Sequence, residues 1–152
     1  MAKASALLLI RILPFGYTAL IWIQSSYFNP SSISYLLTEI NMKVLLLIGS
    51  GMELFHFFQF GILYIFIIMA VLSFRKLTKR IEYIAILFSL LYGLIDEIHQ
   101  IYIPFRSYSF LDLLKNTTGV LILSAVIHKS YFSANKSKIG LLLEKVENNF
   151  KK

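Results

Sequence analysis

Apolar residues in this chain come in long blocks, and they do not alternate with polar residues as they do in the stripes of soluble helices and strands. The blocks run from Ser5 to Ile23, from Leu54 to Phe74, from Ile81 to about Ile103 and from about Phe110 to Ile127. A run of about 20 apolar residues matches the roughly 30 Å hydrocarbon core of a bilayer. The pattern predicts an all-α polytopic membrane protein with four transmembrane helices in a small bundle.

The segments between the blocks predict where the helices stop. Residues 24–40 contain Asn29-Pro30, a turn signal, and predict the first loop. The short patch Val44–Ile48 is followed by Gly49-Ser50-Gly51, so it is predicted to be a separate piece that lies at the interface or packs on the bundle. A signal peptide is the competing interpretation of the first block, but Arg11 interrupts its apolar run, which favours a retained helix.

The chain is predicted to divide into a membrane domain, residues 1–130, and a basic tail, residues 131–152. Within the tail, Leu142, Val146 and Phe150 form a weak helical stripe. Such a stripe is compatible with an amphipathic helix on the membrane surface.

Composition and charge support a membrane location. Of 152 residues 57% are hydrophobic and 15% are charged, and the absence of cysteine excludes disulfides and thiolate metal sites. The net charge of +7 comes from basic residues at the ends of the apolar blocks, so we expect no nucleic-acid partner. With four spans, Lys3, the segment 75–80 and the tail lysines lie on one side. The positive-inside rule then predicts a multi-pass protein of the cell (inner) membrane with both termini in the cytoplasm.

Ionisable and amide side chains gather at the predicted outward ends of the last three helices. An isolated charge at mid-membrane costs roughly 2.5–3.5 kcal/mol on insertion scales. These side chains are therefore expected to face one another across an outward polar cavity. The predicted catalytic residues are Glu97, His99, Asp96 and His56, and the predicted substrate-binding residues are Arg106, Asp112, Asn116, Gln100, Gln59 and Glu53.

The chemistry of this group leaves several interpretations open. Carboxylates beside histidine suit general acid–base catalysis, and the fork of Arg106 suits a phosphate or a carboxylate. Asp96 or Glu97 with Arg106 can instead form a structural ion pair. Two histidines and several carboxylates can also hold a divalent metal, but their spacing matches no strong metal motif, so no metal ligand is assigned and the cofactor stays unknown. Ser25-Ser26 has no base nearby in the sequence, so a serine nucleophile is not favoured.

Two stretches resemble the signature of the VanZ-like membrane protein family. They are DEIHQIYIPFRS, residues 96–107, and LDLLKNTTG, residues 111–119, and the family's acidic residue before a His-Phe run corresponds to Glu53 with His56-Phe57. The chain departs from the pattern at Gln59, where many relatives have Glu, and at Phe105, where many have Gly. The resemblance implies four helices and an outward polar site, and its founding member is linked to low-level teicoplanin resistance. It implies no particular reaction.

Three functions follow as hypotheses. The first is acid–base modification of a lipid or lipid-linked envelope component, with Glu97 and His99 as acid and base in either order. The second is a non-enzymatic protective module that binds a lipid-linked or glycopeptide ligand and contributes to teicoplanin resistance. The third is proton-coupled transport, which ranks last because the polar residues crowd one end of the bundle. Membrane lipids are the expected partners in each case.

Overall fold

The computed structural model describes residues 2–27, 42–104 and 106–150, and within these ranges the chain is helical, with no strand. In chain order the helices are α1 (Ala2–Tyr27), α2 (Met42–Leu72), α3 (Lys79–Gln100), α4 (Phe110–Phe132) and α5 (Lys138–Phe150). This confirms the predicted all-α class.

Three segments of these helices are long and apolar enough to cross a membrane. They are Ala4–Tyr27, Leu54–Leu72 and Phe110–Phe132. Helix α3, which was predicted to be a fourth span, is not among them. It has 22 residues, a length of about 33 Å, but it contains Glu82, Asp96 and Glu97, which lower its hydropathy.

Helix α2 begins at Met42, which corrects the prediction of a separate piece at Val44–Ile48. The chain continues as one helix of 31 residues through Gly49-Ser50-Gly51. A glycine in a helix costs about 1 kcal/mol relative to alanine. Two such penalties are too small to break a helix with long apolar runs on both sides.

Helix α1 continues to Tyr27, so residues 24–27 belong to a helix and not to the predicted first loop. The hydroxyl of Ser26 donates to the carbonyl of Trp22 at 2.8 Å, which satisfies this polar side chain within the helix. The remainder of that loop, residues 28–40, lies outside the described residues. At the same end of the bundle, α3 stops at Gln100, three residues before its predicted end.

Helix α2 is the centre of the bundle and contacts every other helix of the described chain. It runs parallel to α4, because Gly119 meets Phe57 and, further along both helices, Leu123 meets Gly61. A Cβ atom placed on Gly119 would lie 1.9 Å from the carbonyl oxygen of Phe57, so the two backbones touch at this point. Glycine at position 119 therefore sets the distance between α2 and α4.

The end of the bundle near α5 is held by buried polar contacts. Glu82, which is 1% exposed, lies 2.7 Å from Nδ1 of His128 and accepts a hydrogen bond from Tyr64. The hydroxyl of Tyr131 donates to Glu147 of α5 at 2.6 Å. Helix α5 is thus docked on α4 through Tyr131.

The packed face of α5 differs from the stripe seen in the sequence. The buried residues are Gly140, Leu143 and Glu147, whereas Leu142 of the predicted stripe is 62% exposed. Val146 of that stripe does pack against the core, beside Leu143, so the stripe is right in part. The hydrogen bond between Tyr131 and Glu147 lies on the same packed face.

Candidate functional site

One buried cluster joins three helices at the end of the bundle where α3 ends and α4 begins. His56 of α2, Glu97 of α3 and Asp112 of α4 each offer one atom, and these three atoms lie within 4.8 Å of one another. His56 Nε2 is 3.3 Å from Glu97 Oε1. The side chain of Glu97 is 0% exposed and that of His56 is 20% exposed. The cluster therefore combines a fully buried carboxylate with an imidazole that a ligand can reach.

The start of α4 fixes the second oxygen of Glu97. The backbone N–H of Ser109 donates to Glu97 Oε2 at 3.3 Å. Ser109 is the N-cap of α4, and its hydroxyl accepts from the N–H of Asp112 at 3.2 Å. An N-cap hydroxyl satisfies one of the helix's unpaired donors, and the helix N-terminus favours negative charge. The cap thus holds Asp112 and Glu97 in one place.

Asp112 also has a partner on its own helix. Lys115 Nζ lies 2.9 Å from Asp112 Oδ1, at the i,i+3 spacing that places two helical side chains side by side. Both side chains are about one third exposed, so this ion pair marks the rim of the cluster. A carboxylate has two oxygens, so Asp112 can bind Lys115 and still face the cluster.

His99 faces α1, away from Glu97. Its Nε2 is 2.9 Å from Ser26 Oγ, and its ring stacks on Trp22 with 3.9 Å between centroids. Positions two apart on a helix do not face each other, so Glu97 and His99 have different neighbours. The sequence does not single out Trp22, and it disfavours Ser26 as a nucleophile because no base lies nearby in the chain. The structure places His99, 73 residues away in the chain, beside Ser26.

Three further predicted residues have identified partners. Arg106 Nη1 donates to the carbonyl of Ser25 at 3.1 Å. That carbonyl is one of the last four of α1, which lack partners within the helix and attract cations. Asp96 accepts from Gln100 Nε2 at 3.0 Å, and both side chains are buried.

Two amide side chains lie one helical turn beyond the cluster. Gln59 follows His56 by three residues and Asn116 follows Asp112 by four, so each shares the face of its neighbour. They are 2% and 3% exposed. In the described part of the chain, Gln59 Oε1 and both amide atoms of Asn116 have no hydrogen-bond partner. Buried polar groups of this kind are expected to have one.

Glu53 lies within α2, but its side chain is outside the described residues, so its membership of the site stays a prediction. The other nine predicted residues lie near the junction of α1 to α4. Five of them contact one another or the cap of α4, in two groups: His56, Glu97 and Asp112, and Asp96 with Gln100. His99 and Arg106 contact α1.

The chain was compared with family models, with curated proteins and with solved structures. Residues 2–131 match the family model described as VanZ/LLP1. No curated protein and no solved structure gives a significant match. The matched range includes every residue of the site and ends before α5.

Proposed function

The chain belongs to the VanZ/LLP1 family, and from that premise we propose that its buried cluster acts on a lipid or lipid-linked component of the cell envelope by acid–base chemistry. The observation that carries this proposal is the fully buried Glu97, 3.3 Å from the reachable imidazole of His56. Ionisable groups inside membrane helices are expensive, so their retention as a group points to function.

The proposal includes the topology. Helix α3 spans the membrane together with the three apolar helices, because its acids are buried in the bundle whereas Tyr83, Leu87 and Leu91 are exposed. Four spans place Lys3, the segment 75–80 and the tail on the same side, which the positive-inside rule assigns to the cytoplasm. The cluster at the junction of α3 and α4 then opens to the outer face of the cell membrane, where envelope precursors are found.

The geometry divides the roles between His56 and Glu97. Glu97 engages Nε2 of the imidazole and is held in turn by the N–H of Ser109. A buried carboxylate in this position orients the ring and stabilises its protonated form. His56 then exchanges the proton with the substrate through Nδ1, and Asp112 orients the polar group of the substrate. His99 is a positioning residue, which connects α3 to α1.

The test compares membrane lipids and cell-wall precursors in cells that express matched levels of each variant. Glu97→Gln and His56→Gln remove the titrating groups with little change of volume. Glu82→Gln is the matched control, because Glu82 is also a buried glutamate paired with a histidine, but at the other end of α3. We expect a lipid or precursor that changes with wild type and Glu82→Gln and not with the other two variants.

The same measurement can contradict the proposal. If a species changes equally with Glu97→Gln and with wild type, acid–base catalysis at this cluster is excluded. If no species changes with wild type, the protective binding function takes its place, and susceptibility to teicoplanin becomes the next assay.

Proton-coupled transport is the second candidate, and one observation favours it. Helix α3 carries two buried glutamates that are each paired with a histidine, Glu97 near its end and Glu82 near its start. Between them lie Phe60, Leu63 and Val120, all fully buried and apolar, which separate the two pairs. Proton flux into proteoliposomes that is abolished by both Glu82→Gln and Glu97→Gln would establish transport.

A further inference from the structure

We propose that His56, Glu97 and Asp112 bind one divalent transition-metal ion. Their three donor atoms come from three different helices and lie within 4.8 Å of one another. This deepens the proposed function and rests on it for its catalytic meaning, with one change of role. With the ion bound, His56 Nε2 and Glu97 Oε1 would both be ligands in place of their hydrogen bond, so His56 would hold the ion and water on the ion would exchange the proton. The binding itself can be measured without a substrate.

The distances suit such an ion. Bonds of about 2.1 Å in a tetrahedral arrangement place neighbouring donor atoms about 3.4 Å apart. His56 Nε2 and Glu97 Oε1 are already 3.3 Å apart. The donor oxygen of Asp112 lies within 4.8 Å of the other two atoms. It therefore has to move by at most about 1.4 Å (4.8 less 3.4) to reach the same spacing. Three protein ligands leave a fourth position open for water or substrate, as in catalytic zinc sites.

The surroundings provide a second and independent indication. Asn116 and Gln59 are buried one turn from the ligands, on the ligands' own helix faces, and have unpaired amide atoms within the described ranges. Water bound to a metal ion needs hydrogen-bond partners beyond the ligands, and amides supply both donors and acceptors. The N–H of Ser109 meanwhile holds the second oxygen of Glu97, which fixes the direction of the first.

Charge favours a cation at this point. Glu97 is fully buried, and the donor oxygens of Glu97 and Asp112 lie within 4.8 Å of each other. Two carboxylates at this distance repel each other unless one is protonated or a cation lies between them. Lys115 supplies part of the compensation, at the rim, by binding Asp112. A divalent ion would neutralise the negative charge of both carboxylates at once.

The donor types select the class of metal. One imidazole nitrogen and two carboxylate oxygens suit Zn²⁺, Mn²⁺ or Fe²⁺, whereas Mg²⁺ and Ca²⁺ prefer oxygen ligands throughout. The chain has no cysteine, so thiolate-selecting ions such as Cu⁺ are not expected.

The test uses the full chain purified in detergent and stripped with a chelator. Zn²⁺ and Mn²⁺ are titrated by calorimetry, and Co²⁺ is added as a probe whose visible spectrum reports its ligands. We expect one ion per chain in wild type and at least a tenfold weaker affinity in His56→Gln and Asp112→Asn. His128→Gln is the matched control, since His128 also pairs with a buried glutamate, and it should bind as wild type does.

Lys115→Gln keeps the test decisive even if a ligand variant does not fold. It removes the cation that competes for Asp112, so the ion should bind several-fold more tightly. The proposal is overturned if wild type binds no ion, if His56→Gln binds as well as wild type, or if His128→Gln loses binding to the same extent.

The metal site and the proposed function fail separately. If the ion binds but the amount of no envelope component depends on Glu97, the metal site is supported and the acid–base function is contradicted. If envelope lipids change with wild type and the purified protein binds no ion, the acid–base function stands without a metal.

Discussion

Replacing Gly119 with alanine tests whether the contact between α2 and α4 holds the candidate site together. The added Cβ would lie 1.9 Å from the carbonyl oxygen of Phe57, and the carbon of that carbonyl is 3.1 Å away. Backbone atoms cannot rotate out of the way as a side chain can. With an ordinary contact at about 3.5 Å, the two helices must separate by about 1.5 Å.

The expected loss of stability follows from that separation. Overpacking of a tight contact costs about 1–3 kcal/mol, and alanine returns up to about 1 kcal/mol through its better helix propensity. For a chain of this size 1 kcal/mol corresponds to roughly 2–4 °C in the unfolding midpoint. The clash is with backbone atoms, so the cost lies at the upper end of that range. We therefore expect a net loss of about 2 kcal/mol in Gly119→Ala, which lowers the midpoint by roughly 4–8 °C.

The assay is thermal unfolding in detergent, followed by circular dichroism. Gly16→Ala is the matched control, because no atom lies within 4 Å of a Cβ at that position of α1, and its midpoint should equal or exceed that of wild type. If Gly119→Ala unfolds at the wild-type temperature, the tight contact between α2 and α4 is refuted. If both variants lose the same stability, the loss is a general effect of replacing glycine in these helices and does not report the contact between α2 and α4.

Two further substitutions test contacts away from the site, by the same unfolding measurement. Tyr131→Phe removes the hydroxyl that donates to the buried Glu147 at 2.6 Å. We expect the free energy of unfolding to fall by about 1.5–3 kcal/mol, as it does when other hydrogen bonds to charged groups are removed. An unchanged midpoint would show that α5 is not docked in this way. Arg11→Lys replaces the guanidinium that donates from Nε to Ser73 Oγ at 3.2 Å and from Nη2 to the Ser73 carbonyl at 3.1 Å. A lysine cannot reproduce this fork, so we expect a loss of about 1 kcal/mol, and full retention of stability by the lysine variant would contradict it.

The helical class and the polar site could be predicted from the sequence because both depend on local patterns. Long apolar blocks identify membrane helices by length, and polar residues three or four apart identify a shared face. The stretch Asp96–Gly119 also carried the family resemblance, which the match over residues 2–131 confirmed.

The errors have one physical cause, which is that local signals do not report tertiary contacts. Gly49-Ser50-Gly51 was read as a break, but the apolar runs on either side sustain α2 through it. Residues 24–27 were read as a loop because they are polar, yet the hydroxyl of Ser26 bonds within its own helix.

The partners inside the site could not be predicted for the same reason. His56 and Glu97 are 41 residues apart in the chain, and nothing in the sequence says which of several carboxylates this imidazole meets. The contact depends on how α2 packs against α3. Pairing across helices is therefore a property of the packed bundle and not of any one segment.

The polarity of α3 has a consequence for how the protein is made. On the proposed topology this helix must enter the bilayer, yet it carries Glu82 near its start and Asp96 and Glu97 near its end. Each carboxylate opposes insertion, by at most the roughly 2.5–3.5 kcal/mol that a charge costs at mid-membrane. The two histidines that pair with these glutamates belong to different helices. His56 of α2 is synthesised before α3, and His128 of α4 is synthesised after it. If α3 spans the membrane, we expect it to complete its insertion only after α4 has been synthesised, so that the last two spans enter the membrane as a pair.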